Sequence, residues 1–373
     1  MREKFLPRYG NEIRLVSAVR LLAGSKKFKN LISEDIYFLD SATEAIAFFI
    51  ENLNSDPKTV VGVPLYTCSS VLEAIRTTNK PIKLLDIVLD ETGYHIDLEQ
   101  IRNVEVMVFI HYFGVYFNDI AIIRDMYPNL IIVEDCSHVL FKNHVKSTFT
   151  AASVFSFNLH KPISCGAGGC LVVKNDTKKS NIIKSYFKLP VISFKADIKR
   201  FMMIMIKNYA HTQIFQNIIK NYLEKRRKLR ASTSPHHNIQ PHKLSFLSRC
   251  LLGNQYHAQV DCSSKSNYLR IDKRFRLKVN KAEAEKLLYF PVFLPNKDTR
   301  DAINNSLNEL SIDSFILWEN FLHNASYYSD KINSCPDTKT YSDRILYLPE
   351  ALITNSDNSA RFNKVIELLN KIK

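Results

Sequence analysis

Short apolar runs alternate with longer amphipathic stretches through the first half of the chain. The runs are apolar at consecutive positions, which is typical of strands in a parallel sheet that is covered on both faces. They lie at residues 36–39, 59–64, 82–86, 104–110, 129–135, 152–157 and 170–173. Apolar residues at helical spacing lie between some of these runs, as at residues 45–53. Strands that alternate with helices predict βαβ units, and therefore an α/β fold with a mostly parallel sheet.

The last third of the chain has a different pattern. Strand-like runs occur at residues 287–294, 312–317 and 344–349. Helices are predicted at residues 298–310 and from residue 359 onward. This mixture indicates a second, smaller unit that contains both helices and strands.

Two polar residues stand at the ends of apolar runs. Asp135 closes the run at 129–135, and Lys161 follows the run at 152–157. Ligands collect at the carboxyl ends of parallel strands. A lysine that forms a Schiff base and an acid that pairs with a pyridinium nitrogen are what pyridoxal phosphate requires. Taken singly, such an Asp is usually a cap and such a Lys is usually solvated, so the interpretation depends on their ordered combination.

A Ser-Ala-Thr turn at residues 41–43 lies between the first run and a helical stretch. Its hydroxyl groups, its free amide N–H groups and the positive end of the helix dipole would form a phosphate site. The alternative is a simple N-cap by Ser41 or Thr43, with Glu44 in the first turn of the helix.

The order of the motifs resembles the DegT/StrS-type sugar-nucleotide aminotransferases, which are fold-type I pyridoxal-phosphate enzymes. The matching segments are residues 41–43, 64–68, 111–114, 135–138 and 155–169. The resemblance implies an aspartate aminotransferase-like fold: a mostly parallel seven-stranded sheet sandwiched by helices, with a smaller C-terminal α+β domain. We therefore divide the chain into a large domain (1–190), a basic helical insertion (191–240), a linking or dimer helix (241–275) and the small domain (276–373).

The resemblance also implies roles around the cofactor ring. Lys161 would hold the cofactor as a Schiff base and later shuttle a proton, which requires a neutral amine. Asp135 would pair with the ring nitrogen, and His138 would lie near the phenolic oxygen, where the family has Gln or His.

The remaining site residues would hold the phosphate or cover the ring. By resemblance, Thr43, with the neighbouring amides around Ala42, and Ser156 would bind the phosphate. The aromatic residue that normally stacks on the ring is replaced by Cys68. Tyr66 could substitute for it, although alternation along an extended loop would point its side chain elsewhere.

The expected reaction is transamination of a nucleotide-linked keto-sugar, with glutamate as the donor, for a surface polysaccharide or a related glycan. The resemblance also implies a C2 homodimer. Two departures leave alternatives open: Ala167 replaces the acidic residue of the Gly-Glu-Gly-Gly turn, and residues 241–243 lack the Asn of the family's Asn-Tyr-Arg segment. The alternatives are a pyridoxal-phosphate-dependent sugar dehydratase and a non-catalytic binding or regulatory protein.

Composition predicts a soluble protein of the cytoplasm. No apolar run approaches the ~20 residues that a membrane span needs, and the first residues lack the apolar core of a signal peptide. The seven cysteines are scattered without metal-type pairs, which favours reduced thiols and no metal site.

A basic segment at residues 199–230 has nine Lys and Arg residues against one acid, Glu224, in a chain of net charge +14. Interleaved apolar residues predict one or two amphipathic helices. The favoured interpretation is an apolar face packed on the main domain, with the basic face in solvent. Contact with an anionic membrane surface or with a diphosphate substrate is the alternative. Nucleic acid is disfavoured because the aromatic residues are not spaced as a stacking platform.

Overall fold

A computed structural model describes residues 21–53, 56–117, 119–141, 149–174, 176–209, 239–257, 265–318, 322, 326 and 332–372. The strands are β1 (Ile36–Leu39), β2 (Val61–Pro64), β3 (Ile82–Leu85), β4 (Ile87–Asp90), β5 (Gly93–Ile96), β6 (Val106–Ile110), β7 (Ile131–Asp135), β8 (Ala152–Ser156), β9 (Gly169–Val173), β10 (Phe290–Phe293) and β11 (Ile345–Leu348).

The described α-helices lie between and after these strands. They are α1 (Leu21–Lys29), α2 (Ala42–Glu51), α3 (Ser69–Thr77), α4 (Ile120–Met126), α5 (Asp176–Lys188), α6 (Phe194–Tyr209), α7 (Phe246–His257), α8 (Lys281–Ala284), α9 (Lys297–Glu309), α10 (Pro336–Ser342), α11 (Glu350–Thr354) and α12 (Ser359–Asn370).

Seven strands form the main sheet in the order β1-β9-β8-β7-β6-β2-β3. The pairs from β8 through β7, β6 and β2 to β3 are parallel, whereas β9 pairs antiparallel with both β8 and β1. The prediction of an α/β fold with a mostly parallel sheet is therefore confirmed. Because β6, β7 and β8 run in the same direction, their carboxyl ends meet at one edge of the sheet.

The apolar runs form strands because both faces of the sheet are covered. Every residue of β2, β6 and β9 is buried. Helix α2 is buried continuously from Ala45 to Ile50, so it packs inside the domain rather than along its surface. A short antiparallel hairpin of β4 and β5, which the apolar pattern did not predict, follows β3.

The C-terminal region contains the predicted helices as α9 and α12, and its β10 and β11 pair antiparallel. The predicted strand at residues 312–317 is wrong: within it, Phe315 forms an isolated bridge to Tyr347. The reason is local. Ser311 and Trp318 have φ angles of +57° and +53°, so left-handed backbone bounds the segment on both sides and prevents a longer extended strand.

Among the described residues, no helix is long and apolar enough to cross a membrane. Helix α6 contains the first part of the basic segment, and residues 210–230 lie outside the described residues. Contact between this segment and an anionic membrane surface stays a prediction.

A buried ionic network surrounds Glu134, the second-to-last residue of β7. Glu134 is 2% exposed and accepts hydrogen bonds from Thr150, Ser153 and Lys174, the last at 2.7 Å. The Phe117 N–H donates to Nδ1 of His111, so Nε2 of His111 carries the proton that faces Oε1 of Glu134 at 3.1 Å. Burial by itself would raise the pKa of Glu134, but His111 and Lys174 outweigh it and hold the pKa below its usual range.

Replacing Lys174 with Met should destabilise the protein by about 3 kcal/mol, because it leaves a buried carboxylate without its principal counter-charge. Urea denaturation of Lys174→Met against the wild-type protein measures this loss. Lys184→Met, which removes an exposed cation from α5, is the matched control and should change the free energy of unfolding by less than about 0.5 kcal/mol. Equal effects of the two substitutions would show that the network contributes no special stability.

Candidate active site

A cavity of about 410 Å³ opens at the carboxyl ends of β7 and β8. Seven of the eight residues that the sequence analysis proposed line this cavity. They are Ala42, Thr43, Cys68, Asp135, His138, Ser156 and Lys161. The eighth, Tyr66, does not line it.

Lys161 is brought to the cavity by a tight turn after β8. His160 immediately precedes it with φ at +67°, a left-handed conformation that reverses the chain there. Burial lowers the pKa of Lys161, and the electrostatic effects of Asp135 and then Cys68 oppose that shift without cancelling it. A lysine amine with a lowered pKa is suited to nucleophilic attack on an aldehyde and to proton transfer.

Asp135 is the last residue of β7 and is 6% exposed. Its Oδ1 accepts a hydrogen bond from the Ser137 N–H at 2.9 Å, which orients the carboxylate. Side chains alternate along a strand, so the neighbouring Glu134 points to the other face, where it enters the buried network. Strand β7 therefore directs the Glu134 carboxylate into the buried network and the Asp135 carboxylate into the cavity.

His138 is 3% exposed and lies against two aromatic rings. The Trp318 ring stacks on it with centroids 5.7 Å apart and an interplanar angle of 25°. The Tyr289 ring meets it edge-on at 4.9 Å. Burial, and to a lesser extent the proximity of Lys161, lower the pKa of His138 well below its usual value, which favours the neutral imidazole. Its Nδ1 is buried and has no hydrogen-bond partner among the described residues.

The first turn of α2 is the candidate phosphate cradle. Ser41 is the N-cap, and its Oγ accepts the Glu44 N–H at 3.1 Å. The amides of Ala42 and Thr43 in the first turn have no intrahelical acceptor, as at every helix start. Gly169 permits β9 to pass directly beside this turn, because a Cβ at residue 169 would lie 2.4 Å from the Ala42 nitrogen.

Tyr66, predicted as a substitute for the missing ring-stacking aromatic, lies in the core. It is 1% exposed, and its hydroxyl group donates to the Leu317 carbonyl at 2.9 Å and lies 3.1 Å from the Tyr347 hydroxyl. Alternation along the chain turns Tyr66 into the core and leaves Cys68 facing the cavity. Tyr66 therefore cannot cover a ring bound beside Lys161.

Trp318 is a cavity residue that the sequence analysis did not propose. Two features of the sequence could have indicated this residue: it is the single tryptophan of the chain, and it lies in a segment that matches no family motif. Its left-handed backbone, with φ at +53°, turns the chain at this point.

Asp40 and Arg200 are further cavity residues that the sequence analysis did not assign to the site. Arg200 belongs to α6, in the basic segment whose charges were expected in solvent. Instead its Nη1 lies 2.7 Å from Oδ2 of Asp40, which is 6% exposed. Spacing along the sequence could not reveal this pair, because its members are 160 positions apart.

These residues fit pyridoxal phosphate. The cavity brings together a lysine with a lowered pKa, a carboxylate for the ring nitrogen, a neutral imidazole with an unsatisfied buried nitrogen, and a helix start for the phosphate. The fold and the donor set are those that a pyridoxal-phosphate-dependent aminotransferase requires.

Residues 32–212 match the model of the DegT/DnrJ/EryC1/StrS aminotransferase family. The match spans 181 of the 373 residues, and the chain resembles the family over that part. None of the curated protein sequences matches the chain.

Several solved structures share the fold at low sequence identity. PseC of Helicobacter pylori, an aminotransferase involved in pseudoaminic acid biosynthesis, is 15% identical with a TM-score of 0.69, over 99% of this chain and 100% of its own. TlmJ of Streptoalloteichus hindustanus is 15% identical with a TM-score of 0.67, over 98% and 99%. NtdA of Bacillus subtilis, solved with bound cofactor PMP, is 13% identical with a TM-score of 0.67, over 96% and 83%. At these identities the likeness establishes the fold.

The position of Trp318 predicts a direct optical signal of cofactor binding. Pyridoxal phosphate added to the apoprotein should quench most of the tryptophan emission, because the single indole lines the cavity and stacks on His138. Fluorescence titration, with excitation beyond the tyrosine absorption, measures this quenching. Trp318→Phe should lose the emission and still bind the cofactor by absorbance. Unchanged emission upon saturation of the wild-type protein would contradict this placement of Trp318.

Glu44 predicts a pH dependence of stability. Burial raises the pKa of Glu44 from 4.5 to about 7, against the opposing effect of the hydrogen bond from the His242 N–H. Between pH 4.5 and pH 7 the folded state binds more protons than the unfolded state. The contribution of Glu44 to stability therefore falls as the pH rises through this range. Glu44→Gln removes this pH-dependent contribution, so its free energy of unfolding relative to that of the wild type should rise by about 3 kcal/mol between pH 4.5 and pH 8.

Urea denaturation at a series of pH values tests this expectation. Glu309→Gln, which removes an exposed carboxylate of α9, is the control and should give a difference that does not vary with pH. A pH-independent difference for Glu44→Gln as well would disprove the raised pKa.

Proposed function

We propose that the enzyme transfers an amino group to a keto-sugar linked to a nucleotide, with glutamate as the amino donor. The observation that carries the proposal is that Lys161, Asp135 and the helix-start cradle line one cavity. The resemblance of the motifs to sugar-nucleotide aminotransferases supports the acceptor class. The shared fold of PseC, whose product belongs to pseudoaminic acid biosynthesis, is consistent with it. The amino sugar would supply a surface polysaccharide or a related glycan.

Each residue has a defined task in this reaction. When bound, pyridoxal phosphate supplies a conjugated ring that withdraws electrons from the substrate carbon that loses its proton. The amine of Lys161, whose pKa burial lowers, would accept that proton as a general base and release it again as a general acid. The carboxylate of Asp135 keeps the ring nitrogen protonated. His138, which is neutral, hydrogen-bonds the phenolic oxygen.

We also propose that the enzyme is a cytoplasmic C2 homodimer, as the family resemblance implies. Dehydration of the sugar is the second candidate reaction, favoured by Cys68 and Ala167 at positions where the family has an aromatic and an acidic residue. The presence of Lys161 in the cavity, rather than a residue that cannot form the Schiff base, favours transamination.

Incubation of the holoenzyme with glutamate and a nucleotide-linked keto-sugar tests the proposal. The expected products are 2-oxoglutarate and an amino sugar still linked to the nucleotide, identified by mass spectrometry. Lys161→Ala should slow turnover by at least about 10²–10⁴-fold, because it removes the proton shuttle.

The products separate the alternatives. A deoxy keto-sugar without new nitrogen would replace the proposal with dehydration. A holoenzyme that turns over amino donor with keto acids but never with keto-sugars would refute the sugar acceptor.

A further inference from the structure

Phosphate carries negative charge, and the cavity contains few cations to balance it. Of the described residues that line the cavity, Lys161 and Arg200 are the two with a cationic side chain. Lys161 is committed to the covalent bond with the cofactor, and its lowered pKa favours the neutral amine. Arg200 is therefore the one described cation in the cavity that remains for a phosphate group.

Packing on two sides holds Arg200 in position. Ile204 lies one turn further along the same face of α6 and packs over Gly166, where an added Cβ would lie 2.5 Å from the Ile204 Cδ1 atom. Asp197, three residues before Arg200, is 2% exposed and accepts the Leu247 N–H of α7 at 2.9 Å. Helix α6 is thus fixed against both the glycine turn of the site and α7, and Arg200 lies between the two anchor points.

The contact with Asp40 places the guanidinium at the phosphate cradle. Asp40 immediately precedes Ser41, the N-cap of α2. Within the described part of the chain, Arg200 contacts Asp40 through Nη1, at 2.7 and 2.8 Å from the two carboxylate oxygens. A guanidinium has five N–H donors in a planar fork, so donors on its other nitrogens remain for a second anion. The side chain is 31% exposed, which leaves it accessible from the cavity.

We propose that Arg200, delivered by α6 of the same chain, binds the phosphate group of the cofactor and supplies its main counter-charge, with Asp40 orienting the guanidinium. This assigns a phosphate ligand to the basic segment and gives the site a cation where residues 241–243 lack the family's Asn. The proposal is independent of the acceptor substrate, so the identity of the sugar does not affect its test.

Comparison of pyridoxal phosphate with pyridoxal, which lacks the phosphate group, isolates this interaction. Apoprotein prepared from the full-length holoenzyme is titrated with each ligand, and binding is followed by Trp318 fluorescence and by absorbance. Arg200→Gln should reduce the preference for pyridoxal phosphate over pyridoxal by about 10- to 100-fold, as expected for the loss of a charge-assisted hydrogen bond. Affinity for pyridoxal should be retained, which also verifies that the variant is folded.

Two variants serve as controls. Lys199→Gln removes the neighbouring exposed cation of α6 and should leave the preference within about twofold of wild type. Arg200→Lys keeps the charge and should restore part of the preference.

A purely structural role for the Asp40–Arg200 pair gives a different pattern. In that case Arg200→Gln would weaken both ligands equally, and the double variant Asp40→Asn/Arg200→Gln would recover wild-type affinity for both. Either result would overturn the proposal.

A third pattern of results would show that the Arg200 guanidinium binds a phosphate of the substrate. If Arg200→Gln leaves the preference for pyridoxal phosphate unchanged but raises the KM for the nucleotide-linked sugar, Arg200 serves the substrate diphosphate, and the proposal is wrong.

Discussion

The parallel register of β6, β7 and β8 is the constraint on which the site depends. It aligns Ile110 with Asp135, and Asp135 with Val154, so three strands end together at one edge of the sheet. Lys161 and Ser156 then enter the same cavity from the end of β8. The buried network around Glu134 stabilises this arrangement, because its partners are His111 just after β6, Ser153 of β8 and Lys174 just after β9. A shift of one residue in β7 would exchange Glu134 and Asp135 between the two faces.

Charge balance explains the chemistry of the cavity. Burial lowers the pKa of both Lys161 and His138, so the two groups that would approach the cofactor are disposed to be neutral. Ionic contacts join Asp40 with Arg200 at the cavity, and Glu134 with Lys174 on the other face of β7. The two ion pairs stabilise the surrounding structure, whereas the lowered pKa values of Lys161 and His138 suit them to proton transfer.

The sheet and the residues carried by consecutive motifs could be predicted from sequence, because strand periodicity and strand ends are local properties. Asp135, Lys161 and Thr43 follow from such local patterns. Trp318 and Arg200 could not be predicted, since each reaches the cavity by packing between segments that are far apart in sequence. The motif places Cys68 at the ring face, and alternation along the loop predicted that Tyr66, two residues away, would point elsewhere. The structure places Tyr66 in the core, with its hydroxyl group 3.1 Å from that of Tyr347. The strand at 312–317 failed because residues 311 and 318 adopt left-handed backbone, which apolar content does not encode.

The central claim is that Lys161 holds the cofactor. Borohydride reduction of the holoenzyme, followed by proteolysis and mass spectrometry, locates the lysine that carries the phosphopyridoxyl group. The account predicts the added mass on the peptide that contains Lys161 and on no other lysine peptide. Modification at a different lysine, or a protein that takes up no added pyridoxal phosphate, would contradict it.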